Sequence, residues 1–173
     1  MTHHREGSFG TSPVLPILLF VCFAWLSGLV FATGGDAASR SGPTLVVTGP
    51  DGSDLVRIDL SSDPHWHLEW HHSVTGILVR DFYAVEDGTM LLTHSHTPAY
   101  DAGLGHIPGR GRAESDGNGG YWIYDIDEPV PGNAYLLRVG SERVAHTLVH
   151  DDTRVDLSDL AAGQRVRIAV EVP

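Results

Sequence analysis

From residue 44 to its end, the chain alternates short β-branched and aromatic runs with turn-forming residues. Candidate strands lie at residues 44–48, 55–60, 65–74, 79–86, 90–96, 121–127, 134–139, 145–150, 153–157 and 165–172. No long window keeps a helical period, and only residues 157–160 are expected to form one turn, with Ser158 as its cap. About ten short strands at this spacing predict an all-β domain, either a single β-sandwich or a small barrel of antiparallel strands.

Two features of this region predict particular local structures. Asp87-Gly88 lies between two apolar runs, and both residue types favour the left-handed backbone of a two-residue hairpin turn. Residues 97–120 form a long glycine-rich interruption, and a loop of this length inside a compact domain is usually functional or disordered. Its first half holds aromatic and aliphatic residues and is expected to be ordered, whereas residues 109–120 are polar and are expected to be mobile.

The amino-terminal part of the chain contains one uncharged apolar stretch, residues 14–32. As a helix, it is just long enough to cross the hydrocarbon core of a membrane. We expect a hydrophobic helix that acts as a single-pass signal anchor, and a cleaved signal peptide is the alternative. Residues 1–13 are then an N-terminal tail and residues 33–43 a linker. The β domain, residues 44–173, is expected outside the cytoplasm at the cell membrane.

The charge balance argues against nucleic acid as a partner. The chain has 22 acidic residues and 11 basic residues, which are all arginines, for a formal net charge of −11. A surface of this kind repels phosphates and anionic headgroups. It is typical of an acidic, halophilic-type protein, and a docking surface for a basic partner or cations is the alternative. The single cysteine, Cys22, lies in the apolar stretch, so a disulfide within the chain and a thiolate metal site are not expected.

The segment HWHLEWHHSV, residues 65–74, concentrates four histidines in one candidate strand. Successive side chains of a strand point to opposite faces. One face therefore holds Trp66, Leu68, Trp70, His72 and Val74, and the other holds His65, His67, Glu69, His71 and Ser73. We expect the first set to pack in the core and the second to form a polar face that meets water.

A second histidine pair raises the question of a metal site. His65 and His67 share a face, and His94 and His96 form a similar pair on a later strand, so four neutral imidazoles suit zinc or copper. However, His94 and His96 share their phase with Met90 and Leu92, which predicts an apolar face for them and disfavours the shared site. We therefore predict no metal and no cofactor. A histidine-rich metal-binding protein of the cell surface is the alternative function.

The sequence gives no sign of catalysis. Ser73 directly follows His72, but neighbours in a strand point apart and cannot form a serine–histidine pair. The chain contains no G-x-S-x-G elbow, phosphate-binding loop or zinc-protease signature. A pair of glycosidase-type carboxylates is compatible with 22 acids, but nothing singles one out. We expect the chain not to be an enzyme.

Four short motifs follow one another at characteristic distances: WHHSV at residues 70–74, RDFY at 80–83, YDAGLG at 100–105 and AHTLV at 145–149. Over residues 44–172 the chain resembles the domain-of-unknown-function 1850 (DUF1850) family, whose members carry a His-Ser-Val strand, a downstream acid and a Gly-Ala-Gly-Leu-Pro-like loop. The matching positions are His72, Ser73, Asp81, Ala102, Gly103 and Leu104. The chain departs from the pattern at Asp101 and Gly105, and it has Asp81 where a glutamate is expected.

The resemblance implies a small exported or anchored protein of the kind often encoded beside tripartite ATP-independent periplasmic (TRAP) transporters of the TAXI class. An accessory role in solute uptake follows, with the transporter's membrane subunit or its solute-binding protein as partner. The expected ligand-binding residues are His72, Ser73, Asp81, Tyr100, Asp101 and Gly103. We expect His72 and Asp81 to be near neighbours under the loop at 100–105, either as the polar anchor of a small pocket or as a buried structural ion pair.

Overall fold

The computed structural model describes residues 42–99 and 109–173, which form two β-sheets and one short helix. The strands are β1 (Thr44–Thr48), β2 (Asp54–Asp59), β3 (His65–His71), β4 (Leu78–Glu86), β5 (Thr89–Thr97), β6 (Arg112–Ser115), β7 (Tyr121–Tyr124), β8 (Glu128–Pro129), β9 (Ala134–Arg138), β10 (Thr147–His150), β11 (Thr153–Asp156) and β12 (Arg165–Glu171). The helix α1 spans Leu157–Ala161, and a single 3-10 turn, Pro131–Asn133, precedes β9.

The two sheets differ in size, and neighbouring strands in both are antiparallel. The small sheet has the order β2-β1-β12-β9. The large sheet has the order β11-β10-β3-β4-β5-β7-β6, and β8 pairs with another part of β5. The predicted all-β, antiparallel class is confirmed, and the two facing sheets make the domain a sandwich.

The core lies between the sheets and takes side chains from both. Leu45 of the small sheet and Leu148 of the large sheet are fully buried in one cluster with Ile168 and Trp66. Burying an aliphatic side chain of this size contributes about 1.5–3 kcal/mol. The Trp66 ring stacks on Tyr83 with centroids 4.3 Å apart, so the aromatic part of the predicted core face of β3 is confirmed.

Every predicted strand overlaps an observed one, and β1 has the predicted bounds. The strands β6 and β8 have no counterpart among the predicted strands. The expectation that residues 109–120 are mobile is wrong for Arg112–Ser115, because β6 pairs along its whole length with β7. All four residues of β6 are exposed, so this edge strand lacks the apolar alternation by which strands are recognised.

The Asp87-Gly88 turn is confirmed as the hairpin connection between β4 and β5. Asp87 has a φ of 47° and Gly88 a φ of 75°, the left-handed pair that a two-residue turn requires. The predicted cap of α1 is wrong: Asp156, not Ser158, accepts the backbone N–H groups of Ser158 (2.7 Å) and Asp159 (3.2 Å). The helix begins at Leu157, so the residue before it occupies the capping position.

Several expectations concern residues outside the described ranges. These are the N-terminal tail, the apolar stretch at 14–32, nearly all of the linker, and residues 100–108 of the glycine-rich loop. Within residues 42–99 and 109–173, no helix has the length and apolar character needed to span a membrane.

Candidate functional site

A β-bulge in β5 determines which side chains face outward from the large sheet. Tyr83 pairs with Leu92, but the preceding residue, Phe82, pairs with His94, so Thr93 is an extra residue in β5. One extra residue reverses the alternation of the strand beyond it. Met90 therefore lies in the core, whereas His94 contacts the outward ring of Phe82. The expected apolar-face position of His94 and His96 is wrong for this reason.

The bulge places His94 and His96 on the outer face of the large sheet, where six rings then lie together: His67, Phe82, His94, His96, Trp122 and Tyr124. We call these residues the histidine–aromatic row. Phe82 lies between His67 (centroids 4.9 Å apart) and His94 (4.3 Å apart). Trp122 then contacts His94 at 5.9 Å, His96 at 4.5 Å and Tyr124 at 5.6 Å. Rings from β3, β4, β5 and β7 thus form one continuous surface.

All six rings are partly exposed, although an outward sheet face is usually polar. Partly buried rings offer flat apolar surface to a ligand, and imidazoles add hydrogen-bonding groups. Burial lowers the pKa of His94, and it lowers the pKa of His67 against the opposing charge of Glu69. Both imidazoles are therefore neutral at pH 7, and each carries one donor and one acceptor nitrogen.

An ion cluster around the buried Glu69 borders the row on the β3 side. Glu69 is only 7% exposed, and its carboxylate accepts hydrogen bonds from Arg80 Nε (3.2 Å) and from Arg154 Nη2. Burial opposes ionisation of Glu69, but the bonds from Arg154 and Arg80 outweigh it, so the pKa of Glu69 lies below its usual range. The expectation that the whole polar face of β3 meets water is therefore wrong at Glu69.

Polar contacts also border the row on the β7 side. The Arg112 guanidinium lies 5.6 Å from the centroid of the Tyr124 ring, a cation–π distance. His96 Nε2 lies 3.1 Å from Asp116 Oδ2. Backbone hydrogen bonds, chiefly from Asn118, lower the pKa of the Asp116 carboxyl, which is thus an acceptor for His96. These contacts fix the orientation of the rings at this edge.

Contrary to the prediction from the sequence, His72 and Asp81 do not form a pair. The β3–β4 ladder ends at His71 and Leu78, whereas Asp81 lies opposite Leu68, four residues or about 13 Å along the strand from His72. His72 instead belongs to a tight turn: its N–H donates to Ile77 O (2.8 Å), and its Nδ1 accepts from Thr75 Oγ1 (3.0 Å). Ser73, in the same turn, is exposed.

Asp81 has the predicted phase, on the inner side of β4 with Val79 and Tyr83. Its Oδ1 accepts a 2.5 Å hydrogen bond from Ser95 Oγ. Burial raises the pKa of Asp81, although the bond from Ser95 acts in the opposite direction. A cleft of about 200 Å³ opens beside Tyr83 and is also lined by Arg110 and Tyr135. The other expected ligand-binding residues, Tyr100, Asp101 and Gly103, lie outside the described residues.

The four histidines considered for a metal do not converge. The Phe82 ring separates His67 from His94, and the His65 ring contacts Asp63 instead, with Nδ1 2.6 Å from Oδ1. Within the described part of the chain, one group of three side chains has the proximity that a metal ion needs: Asp63, His150 and Asp151, with ligand atoms within 4.8 Å of one another. Asp63 is distant in sequence from the adjacent residues His150 and Asp151, so no local motif reveals the group.

Sequence alternation gave usable signals for part of the row. Phe82 alternates with the inward Asp81 and Tyr83, which predicts an outward ring, and Trp122 and Tyr124 share one face of β7. The bulge had no such signal, because its position depends on how β5 pairs with β4.

An antiparallel β-sandwich with a histidine–aromatic outer face is the class of protein that the fold and the site define. The chain belongs to the DUF1850 family: the family model, described as a domain of unknown function, matches residues 67–157, more than half of the 173-residue chain. The match contains all six residues of the row. No curated protein and no solved structure matches the chain.

Proposed function

We propose that this DUF1850 protein is an extracytoplasmic accessory protein of a TRAP-type solute transporter of the TAXI class, anchored by residues 14–32, and that it binds a small ring-bearing solute. The observation that carries the binding proposal is the histidine–aromatic row. The transporter association rests on the DUF1850 family, to which the motifs at residues 70–74 and 80–83 point. Members of that family are typically encoded beside such transporters.

The chemistry of the row favours a ring-bearing polar solute. A flat ligand laid across Phe82 and Trp122 completes the burial of rings that are already partly desolvated, and aromatic contacts of this kind contribute about 0.5–1.5 kcal/mol beyond the buried area. Neutral His67 and His94 offer hydrogen bonds to hydroxyl or carbonyl groups without requiring a charged ligand. Sugars and aromatic acids combine these two properties.

A binding role fits the local structure better than a catalytic one. The ring of His72 is engaged by Thr75, and Ser73 is exposed in the same turn, so neither forms a nucleophile–base pair with the other. A metal-binding role for the four histidines at 65, 67, 94 and 96 is less favoured, because the Phe82 ring occupies the space between two of them.

Solute binding is tested by calorimetric titration of the full chain in detergent with a panel of sugars and aromatic acids. We expect at least one solute to bind, and Phe82→Ala and His94→Ala to weaken its binding at least tenfold. Leu136→Ala is the matched control, since Leu136 is a 65% exposed apolar residue of the small sheet. If both row variants bind the solute as the unaltered chain does, the row is not the binding site.

The transporter association is tested separately by affinity capture of the full chain from native membranes, followed by mass spectrometry. We expect a TRAP membrane subunit or its solute-binding protein among the captured proteins. Capture of neither from membranes that contain the transporter contradicts the association and leaves solute binding to be judged by the titration.

A further inference from the structure

Three segments of the chain meet where β3 begins and β10 ends. The first is the link before β3, which holds Asp63, and the second is the start of β3 at His65. The third is the turn after β10, which holds Asp151. His150 ends β10 between them. One ligand atom from each of Asp63, His150 and Asp151 lies within 4.8 Å of the other two. The group combines one imidazole with two carboxylates.

The hydrogen bonding of His150 determines which of its nitrogens faces the carboxylates. The side chain is only 7% exposed, and its Nδ1 lies 2.8 Å from the backbone oxygen of His65. A carbonyl oxygen only accepts, so Nδ1 carries the hydrogen and donates it. In the neutral ring, Nε2 then has a free lone pair. The Nε2 atom lies 3.6 Å from Asp151 Oδ2, beyond hydrogen-bonding distance, and no described residue forms a hydrogen bond with Nε2.

The carboxylate of Asp63 is also held in place. Its Oδ1 accepts hydrogen bonds from the backbone N–H of His65 at 3.0 Å and from His65 Nδ1 at 2.6 Å. Those two bonds orient the carboxylate, and outer contacts of this kind are typical of residues that hold a metal ligand in position. The backbone carbonyl of the same residue, His65, orients His150, so one residue supports two members of the group.

From this geometry we infer that Asp63, His150 and Asp151 form a binding site for a divalent transition-metal ion of the zinc type. One imidazole nitrogen and two carboxylate oxygens supply three ligands and leave a position for water. The imidazole favours zinc over calcium, which prefers a shell of oxygen ligands. A cation also offsets the repulsion between two neighbouring carboxylates. The site uses none of the residues of the proposed solute-binding row.

The test is calorimetric titration of the full chain, produced without a histidine tag and freed of metal by a chelator, with zinc chloride. We expect one zinc ion per chain, and at least tenfold weaker binding for Asp151→Asn and for His150→Gln. Asp151 is exposed, so its variant keeps the fold. If His150→Gln fails to fold, as judged by circular dichroism, Asp151→Asn alone decides.

Two controls separate this site from other histidines. His94→Ala removes an imidazole of the row, and His3→Ala with His4→Ala removes the histidines of the N-terminal tail. Both variants are expected to bind zinc as the unaltered chain does, and zinc is expected to raise the melting temperature of each. Three outcomes each overturn the inference. They are undiminished zinc binding by Asp151→Asn, absence of zinc binding at micromolar concentration, and calcium binding that is tighter than zinc binding.

Discussion

Phe82 and His94 lie face to face on the outer side of the large sheet, with ring centroids 4.3 Å apart and ring planes within 9° of parallel. The contact exists because the extra residue Thr93 makes Phe82 and His94 direct partners across the β4–β5 ladder. In a regular ladder, with Thr93 paired to Phe82, the alternation of β5 places His94 on the inner face with Met90 and Leu92. The bulge at Thr93 thus decides whether two imidazoles belong to the core or to the surface.

Deleting Thr93 is expected to leave His94 and His96 on the outer face, because Thr93 is the extra residue of β5 and Leu92 and His94 then follow each other as the partners of Tyr83 and Phe82. The deletion removes the hydrogen bond from Thr93 Oγ1 to Phe82 O, and a bond of this kind contributes about 0.5–1.5 kcal/mol, so we expect the free energy of unfolding to fall by no more than about 2 kcal/mol. Urea denaturation measures this. Thr93→Ser keeps the residue count and the hydroxyl that donates to Phe82 O, so it should unfold close to the unaltered chain. A much larger loss of stability in the deletion contradicts the assignment of Thr93 as the unpaired residue of the bulge.

Replacing Glu69 by glutamine is expected to lower the free energy of unfolding by about 1–3 kcal/mol, because Arg80 and Arg154 lose a charged acceptor that is almost fully buried. The matched control is Glu171→Gln. Glu171 pairs with Arg57 at 2.7 Å, but both side chains are half exposed or more, and exposed pairs contribute about 0–1 kcal/mol. Denaturation of both variants under the same conditions gives the comparison, and equal losses would mean that burial of Glu69 has no consequence.

Acidification is expected to destabilise the domain below about pH 6.5, because burial lowers the pKa of His67, His94 and His146 in the folded state. Between the lowered values and the ordinary histidine value, the unfolded chain binds more protons than the folded chain. The free energy of unfolding therefore falls with falling pH, by at most about 1.4 kcal/mol per unit for each histidine. Unfolding at pH 7.5 and pH 5.5 measures the effect.

The variant His94→Gln provides the control for this pH dependence. It removes one of the three histidines and should reduce the difference between the two pH values. Leu136→Ala changes an exposed position, leaves all three histidines in place and should keep the difference as it is. An unchanged free energy of unfolding across the range would contradict the neutral state assigned to the buried imidazoles.

Asp81→Asn is expected to keep or raise stability at pH 7. Burial raises the pKa of Asp81, so just above the ordinary aspartate value the folded state binds more protons than the unfolded state. Stability from this group is present at low pH and falls as pH rises through that window, which makes the ionised carboxyl a net cost at neutral pH. The amide still accepts the bond from Ser95. Thermal unfolding at pH 4 and pH 7, with Asp152→Asn as an exposed control, tests this, and a loss at pH 7 contradicts it.

Local patterns were sufficient to predict much of the fold. The β1 strand has the predicted bounds because its β-branched run ends at a Gly-Pro turn, and Asp87-Gly88 imposes its own backbone geometry. The β6 strand was not predictable in this way, because all four of its residues are exposed and none gives the apolar alternation that marks a strand.

The candidate sites depended more on tertiary structure. The outward ring of Phe82 follows from alternation within β4, but the position of His94 depends on a bulge that arises only when β5 pairs with β4. The group of Asp63, His150 and Asp151 requires the pairing of β10 with β3, which no local pattern specifies. The expected pair of His72 and Asp81 failed because the chain turns immediately after His71.

The position of Trp122 has a practical consequence. Its indole contacts His96 at 4.5 Å and Phe82 at 5.7 Å, whereas Trp66 is stacked against Tyr83 in the core. The outer face therefore carries its own fluorophore, in direct contact with the His96 imidazole. Changes at this face are open to optical measurement on the unlabelled protein, and Trp122→Phe separates that emission from the emission of the interior.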